Sequence, residues 1–428
     1  MVISIMVYLP TFYNDFQYEW DDQWQVLTNP FVTDVNSENL IFHFTNYYHG
    51  QYSPVNTLVY IAVYKLAGFN PGVFHAASLL IHLANVLLLF TLIIKIISKI
   101  KTKWNHQRLL FFSFFTALIF AIHPLQVETV AWISASKVVL YTFFFLTGLF
   151  FYSRYIETNK VWHLLPVIFC YILSYGSKEQ AIIFPMNLLL LDYAYGRFNG
   201  IRVNHKIFFS DVIVEKIPFF LITGLLYWFS LSNGIGYVAT DVYTIGQRFM
   251  FGASSIMEYI FRVIAPVRLY YFYFYPVAPG QTLPVYYWIY PILLLIFIWT
   301  AWVNYKRKNK VLVFGILLFL VNLALALHIL PLPRSYITAD RFMYLSIAGA
   351  GIVISWLILF IMYRYRHLKN IIIAGTYFWV IFLCYHSFTR TKHWRDSETI
   401  KSNVVKLIEE RKAKELYFVD PFEDQYEK

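Results

Sequence analysis

The chain has 428 residues, of which 59% are hydrophobic and 14% charged, with a mean hydropathy of +0.53 and a formal net charge of +11. A soluble domain carries about 25% charged residues, so most of this surface must face lipid and a string of soluble domains is excluded. The basic residues fall in short clusters between apolar runs, the pattern that orients membrane proteins and not one that points to a nucleic-acid partner.

Apolar runs predict eleven spans, with a range of eleven to thirteen, at about 1–13, 74–97, 109–122, 138–154, 162–176, 181–195, 212–231, 287–303, 311–330, 342–362 and 370–389. The fold class expected is therefore all-α integral membrane. Alternating the spans puts eighteen Lys and Arg residues in inner loops, from Lys95 to Lys369, and eight in much longer outer loops. The first run is only about half the length needed to cross a bilayer, and without a basic flank or small-residue cleavage site it does not read as a signal peptide. Cys170 and Cys384 lie inside apolar runs and read as small hydrophobes. His75 and His82 lie seven apart with Asn85 nearby, which favours hydrogen bonding between helices over metal ligation.

The first outer loop, Asn14 to Gly72, is about 60 residues long and opens with Tyr18-Glu19-Trp20-Asp21-Asp22-Gln23-Trp24, three carboxylates within four residues. Its apolar stretch Val55 to Leu66 is too short to span and predicts a helix on the surface. Further outer loops hold His123-Pro124 with Glu128, Lys178-Glu179, and Arg334 with Asp340-Arg341. The stretch Thr244 to Val267 carries Gln247, Arg248, Glu258 and Arg262, so it reads as interfacial or re-entrant. The aromatic run Tyr270 to Tyr275 suits a membrane interface belt. Residues 395–428 hold seven basic and nine acidic residues, so 391–428 is expected to be a short soluble tail on the outer face, after a membrane unit over 1–390.

These polar sets suit transfer from a lipid phosphate. Asp21 or Asp22 can take a proton from an acceptor hydroxyl, while Lys178, Arg334 and Arg341, near span ends, can hold a donor phosphate. Glu19, His123, Glu128, Glu179 and Asp340 would support them. Adjacent carboxylates repel, and a hard metal such as Mg²⁺ or Mn²⁺ at Asp21 and Asp22 would keep both ionised. The plainer readings are a solvated acidic loop, a Lys178–Glu179 pair, a helix-ending cap at His123, and interface anchors at Arg334 and Arg341.

Together the motifs WDD at 20–22, YSPVNTL at 52–58, GFNPGVFHAASLLIHLANVLL at 68–88, HPLQVETVAWI at 123–133, SKEQ at 177–180, ADRFMYLS at 339–346 and HWRDSETI at 393–400 resemble the membrane part of the transmembrane and tetratricopeptide-repeat (TMTC-type) O-mannosyltransferases of the GT-C superfamily and their bacterial relatives. The resemblance implies a GT-C fold and an inverting enzyme that moves a sugar, often mannose, from a polyprenyl-phosphate carrier to a protein Ser or Thr. It places the active site on the periplasmic or lumenal face of the bacterial inner membrane or the endoplasmic reticulum. The family's catalytic acid maps onto Asp21 and Asp22, its lysine-glutamate pair onto Lys178 and Glu179, its His-Pro motif onto His123 and Pro124, and its acid-arginine pair onto Asp340 and Arg341. Ser53 stands where many relatives have arginine, and the sequence at hand ends at Lys428 before any repeats, so acceptor selection by repeats is not carried over. An O-antigen ligase or polymerase would concentrate its outer loop in the second half, and a transporter would show inverted halves; the acid-bearing first loop favours the transferase.

Overall fold

The computed structural model describes residues 1–199, 209–232, 243–328 and 336–418, and among these the secondary structure is helical. The order is α1 (Val2–Tyr8), α2 (Pro30–Thr33), α3 (Ser37–Thr45), α4 (Pro54–Ala67), α5 (Pro71–Ile100), α6 (His106–Ile122), α7 (Val127–Ala131), α8 (Ser136–Thr158), α9 (Leu164–Ser177), α10 (Phe184–Tyr195), α11 (Phe209–Val214), α12 (Ile217–Ser232), α13 (Ile245–Ile264), α14 (Ile289–Lys306), α15 (Lys310–Leu323), α16 (Ser346–Arg364), α17 (Lys369–His393) and α18 (Ser397–Ala413).

Much of this order is set by punctuation in the sequence. Asn29, Asn70 and Asn105 accept backbone N–H groups at the starts of α2, α5 and α6, and Pro30 and Pro71 open the first two, where a missing N–H costs nothing. Gly68, at φ +60, ends α4 in a conformation that an L side chain rarely adopts.

A helix occupies each of the eleven apolar segments. Among the described residues six helical stretches are long and apolar enough to cross a membrane, and a seventh qualifies if α6 and the Pro124–Ala131 segment form one span bent by 52°. The bend has a local cause. Pro124 forces His123 into extended backbone (φ −68, ψ 135), so α6 stops there, and the His123 side chain accepts the Leu125 N–H that begins the next turn.

The helices are joined inside by small residues and polar pairs. A side-chain carbon on Gly349 would fall 2.4 Å from the Phe319 backbone nitrogen, so only glycine lets α15 and α16 approach this closely. His82 Nδ1 lies 2.7 Å from the Tyr344 hydroxyl and His82 Nε2 3.1 Å from the Ala121 carbonyl oxygen, while Asn85 donates to Val139 O at 2.8 Å. The expected role between helices is met by His82 and Asn85, whereas His75 is buried without such an interhelical bond. Asn187 and Asn322 exchange amide hydrogen bonds of 3.1 and 3.0 Å.

Three features differ in kind from the sequence expectations. The helix α4 buries Val55, Asn56, Tyr60 and Val63, so it packs into the protein as well as facing outward. The aromatic run folds inward at Tyr273, Phe274 and Tyr275, all buried, because Tyr273 donates its hydroxyl to buried Asp340 at 2.7 Å. The charged tail is folded: α18 buries Ile400, Val404 and Ile408.

Candidate active site

The first loop turns sharply at Glu19, which has φ +64, and presents Asp21 and Asp22 in different surroundings. Asp22 is fully buried. Its Oδ2 accepts the Gln17 backbone N–H at 2.9 Å, and its Oδ1 accepts the Ser134 backbone N–H at 2.8 Å together with the Ser134 hydroxyl. Burial raises its pKa to about 6, although these hydrogen bonds pull the other way. Asp22 thus ties the first loop to the turn between α7 and α8.

Asp21 is only partly buried, and it accepts a long 3.4 Å contact from Gln25 Nε2. Its charge acts on Lys137 and Arg341. Both Asp22 oxygens already accept protein donors, so the two carboxylates do not make a chelating pair. Among the described residues no group of three or more His, Cys, Asp or Glu side chains could hold a metal ion.

Lys137 was not among the sequence candidates. It sits in the first turn of α8, 8% exposed, and its ammonium donates to the Gln51 side-chain carbonyl. A buried cation at a helix N-terminus is opposed by the helix dipole and by desolvation, and a neutral amide compensates neither. The carboxylates acting on it are Asp21, Glu179 and Asp22. One signal was present in the sequence: a lone lysine at the outer end of a span, where the positive-inside bias runs against it.

Arg341 is held by a carboxylate from another helix. Its backbone N–H donates to Glu128 Oε2 at 3.0 Å, its guanidinium pairs with Glu128 Oε1, and its Nη2 donates to the Tyr336 hydroxyl at 2.6 Å. Burial disfavours its charge, but Tyr336 and Glu128 more than compensate and keep it protonated. The neighbouring Asp340 faces elsewhere, pairing with Arg390 at 2.7 Å. The adjacent acid and arginine therefore serve two separate ion pairs.

The remaining candidates divide clearly. Lys178 caps the end of α9, and Glu179 follows it, its carboxyl raised by burial and opposed by Tyr47, Lys137 and Lys178. His123 is buried with both ring nitrogens used: Nε2 lies 2.9 Å from Val263 O and Nδ1 accepts from Leu125. It acts as the cap and brace of the bend. Glu19 is exposed and lies 4.0 Å from Lys401 of α18. Arg334 lies outside the described residues. Asp21, Asp22, Lys137, Glu179 and Arg341 share one electrostatic neighbourhood.

Four of these five residues, all but Lys137, lie in the quoted motifs. The chain resembles the TMTC-type protein O-mannosyl-transferases. It is 28% identical over 207 residues to human TMTC4, covering 45% of this chain and 28% of that protein. It is 30% identical over 145 residues to human TMTC1, covering 34% of this chain and 14% of that protein. Over 251 residues it is 27% identical to tmtc2 of Xenopus laevis, which takes in 53% of this chain and 27% of the relative. The matched stretch thus spans well under a third of each TMTC relative's length. No family model matches the chain. These relatives are named protein O-mannosyl-transferases, and the described residues include helices apolar enough to cross a membrane.

Proposed function

We propose that the protein moves a sugar, mannose in the first instance, from a polyprenyl-phosphate carrier to a protein Ser or Thr hydroxyl with inversion, on the non-cytoplasmic face. All eleven apolar helices are read here as crossing the membrane, with residues 1–390 as the membrane unit and 391–428 as its outer tail. The observation that carries the proposal is the juxtaposition of a partly open carboxylate, Asp21, with the buried cation Lys137 and the braced Arg341.

In this reaction Asp21 accepts the acceptor O–H proton as the oxygen bonds to the sugar's anomeric carbon. The carbon–oxygen bond to the phosphate breaks, and the leaving phosphate keeps the electron pair and gains one negative charge. Lys137 is the cation assigned to that charge, and such preorganised stabilisation is the largest single contribution in many enzymes. Arg341, turned by Glu128, and Lys178 assist. Asp22 does not take the proton; it holds the loop that carries Asp21.

The test is a transfer assay with purified protein, a panel of polyprenyl-phosphate sugars and a Ser/Thr peptide, comparing wild type with Asp21→Asn. Transfer from no donor in the panel, or full transfer by the variant, would overturn the reading.

A further inference from the structure

A cavity of about 290 Å³ lies between α13, the 270–275 loop, the entry to α14 and α18. We propose that it is a binding site for a neutral pyranose, separate from the place of transfer. Its role as a hold for the sugar-bearing part of an acceptor rests on the transferase reading, whereas the binding itself does not.

The wall chemistry selects this ligand class. Rings from Tyr270, Phe272, Tyr273, Tyr287 and Tyr290 line the cavity beside Glu258 and Glu410. The C–H faces of a pyranose pack on such rings and its hydroxyls need both donors and acceptors. Ser255 and Ser254 line the same space beside the rings.

An anionic ligand fits less well because the guanidinium groups are committed. Arg262 lies 4.0 Å over the Tyr273 ring, donates to Thr338 Oγ1 at 3.2 Å and sits 3.5 Å from Glu258. Arg411 donates to the carbonyl oxygens of Tyr417 and Tyr275, at 2.8 and 3.2 Å. Lys414 and Glu410 also line the cavity.

The cavity is one side-chain layer from the candidate active site. Tyr273 forms its wall on one side and bonds to Asp340 on the other, and Phe272 packs edge-on against Tyr336, the tyrosine that accepts from Arg341. A sugar held there would lie beside the reaction without occupying it.

The experiment is saturation-transfer NMR on the whole purified chain with methyl α-D-mannopyranoside, in a detergent that has no sugar head group. The expected result is a signal in wild type that falls about tenfold in Tyr287→Ala and in Glu410→Gln, persists in Asp21→Asn, and is not displaced by inorganic phosphate. Glu410 is exposed, so its variant keeps the test valid if Tyr287→Ala fails to fold. No signal in wild type, an undiminished signal in Glu410→Gln, an equal loss in Asp21→Asn, or displacement by phosphate would each overturn the site. Binding without any transfer activity in the separate assay would leave the site standing and remove only the role assigned to it.

Discussion

Gln17 donates its side-chain amide to the carbonyl oxygen of Trp394 at 3.0 Å, while its backbone N–H donates to Asp22 at 2.9 Å. One buried residue thereby joins the segment after α17 to the carboxylate that holds the first loop. Replacing Gln17 by Ala strands the Trp394 carbonyl, at a cost of about 1–3 kcal/mol for an unsatisfied buried group. The melting temperature should fall and turnover should fall with it. An unchanged melting curve would mean that Gln17 carries no such load.

The two aspartates should separate by phenotype. Asp21→Asn keeps the shape and removes the base, so turnover should drop by about 10² to 10⁴ with little change in melting temperature. Asp22→Asn should show the reverse order of effects, because an amide has one acceptor oxygen and cannot serve both the Gln17 N–H and the Ser134 donors. Wild-type turnover in Asp21→Asn, or a larger stability loss there than in Asp22→Asn, contradicts the assignment.

The Asp22 pKa also predicts a pH signature. In the fold it takes its proton at about 6, against an ordinary value of 3.8, so between these values the native state binds more protons than the unfolded chain. Stability relative to Asp22→Asn should therefore fall as pH rises from about 4 to about 6 and level off above that. Melting curves of the two proteins that run parallel over this range would show that Asp22 does not titrate this way.

For the donor phosphate, Lys137→Met should raise the apparent donor constant by about tenfold or more, equivalent to about 1.4 kcal/mol. Arg341→Lys loses the planar fork that joins Glu128 to Tyr336 and should weaken donor binding less than Lys137→Met does. The measurement is the donor concentration dependence of transfer. Normal donor constants in both variants would place the phosphate elsewhere, with Lys178 and Arg334 the next positions to examine.

Orientation can be read by labelling. In a background with Cys170 and Cys384 replaced, single cysteines at Asn36 and at Ser402 should both react with an impermeant thiol reagent in intact cells. Protection of either until lysis would reverse the proposed topology.

Helix positions could be read from the sequence because the signals are local: apolar run length, Asn and Pro at helix starts, and the His123-Pro124 break. The acidic pair was also visible, but not the division of labour between Asp21 and Asp22, which depends on Ser134 more than a hundred residues away. Lys137 escaped notice for the same reason, since its meaning comes from Gln51, Asp21 and Glu179 in other segments. Asp340 and Arg341 look like a pair in sequence, but the short helical turn at Asp340–Met343 fans them toward Arg390 and Glu128. Periodicity carries no information about which distant carboxylate a given arginine will meet.

The hydrogen bonds between the first loop and the segment at the end of α17 impose a rule of parity. Asn14 reaches the Thr391 carbonyl at 3.0 Å, the Asp15 N–H reaches Arg395 O at 2.7 Å, and the Ser397 hydroxyl reaches Tyr18 O at 2.9 Å. Residues in such contact lie on the same side of a bilayer, so the chain between them must cross an even number of times. The six long apolar helices satisfy this, and so do the ten segments that follow the first of the eleven; the bent pair counted alone as a seventh crossing does not. If the six long helices and the bent pair all traverse the membrane, a shorter apolar helix after Asn14 must traverse it as well.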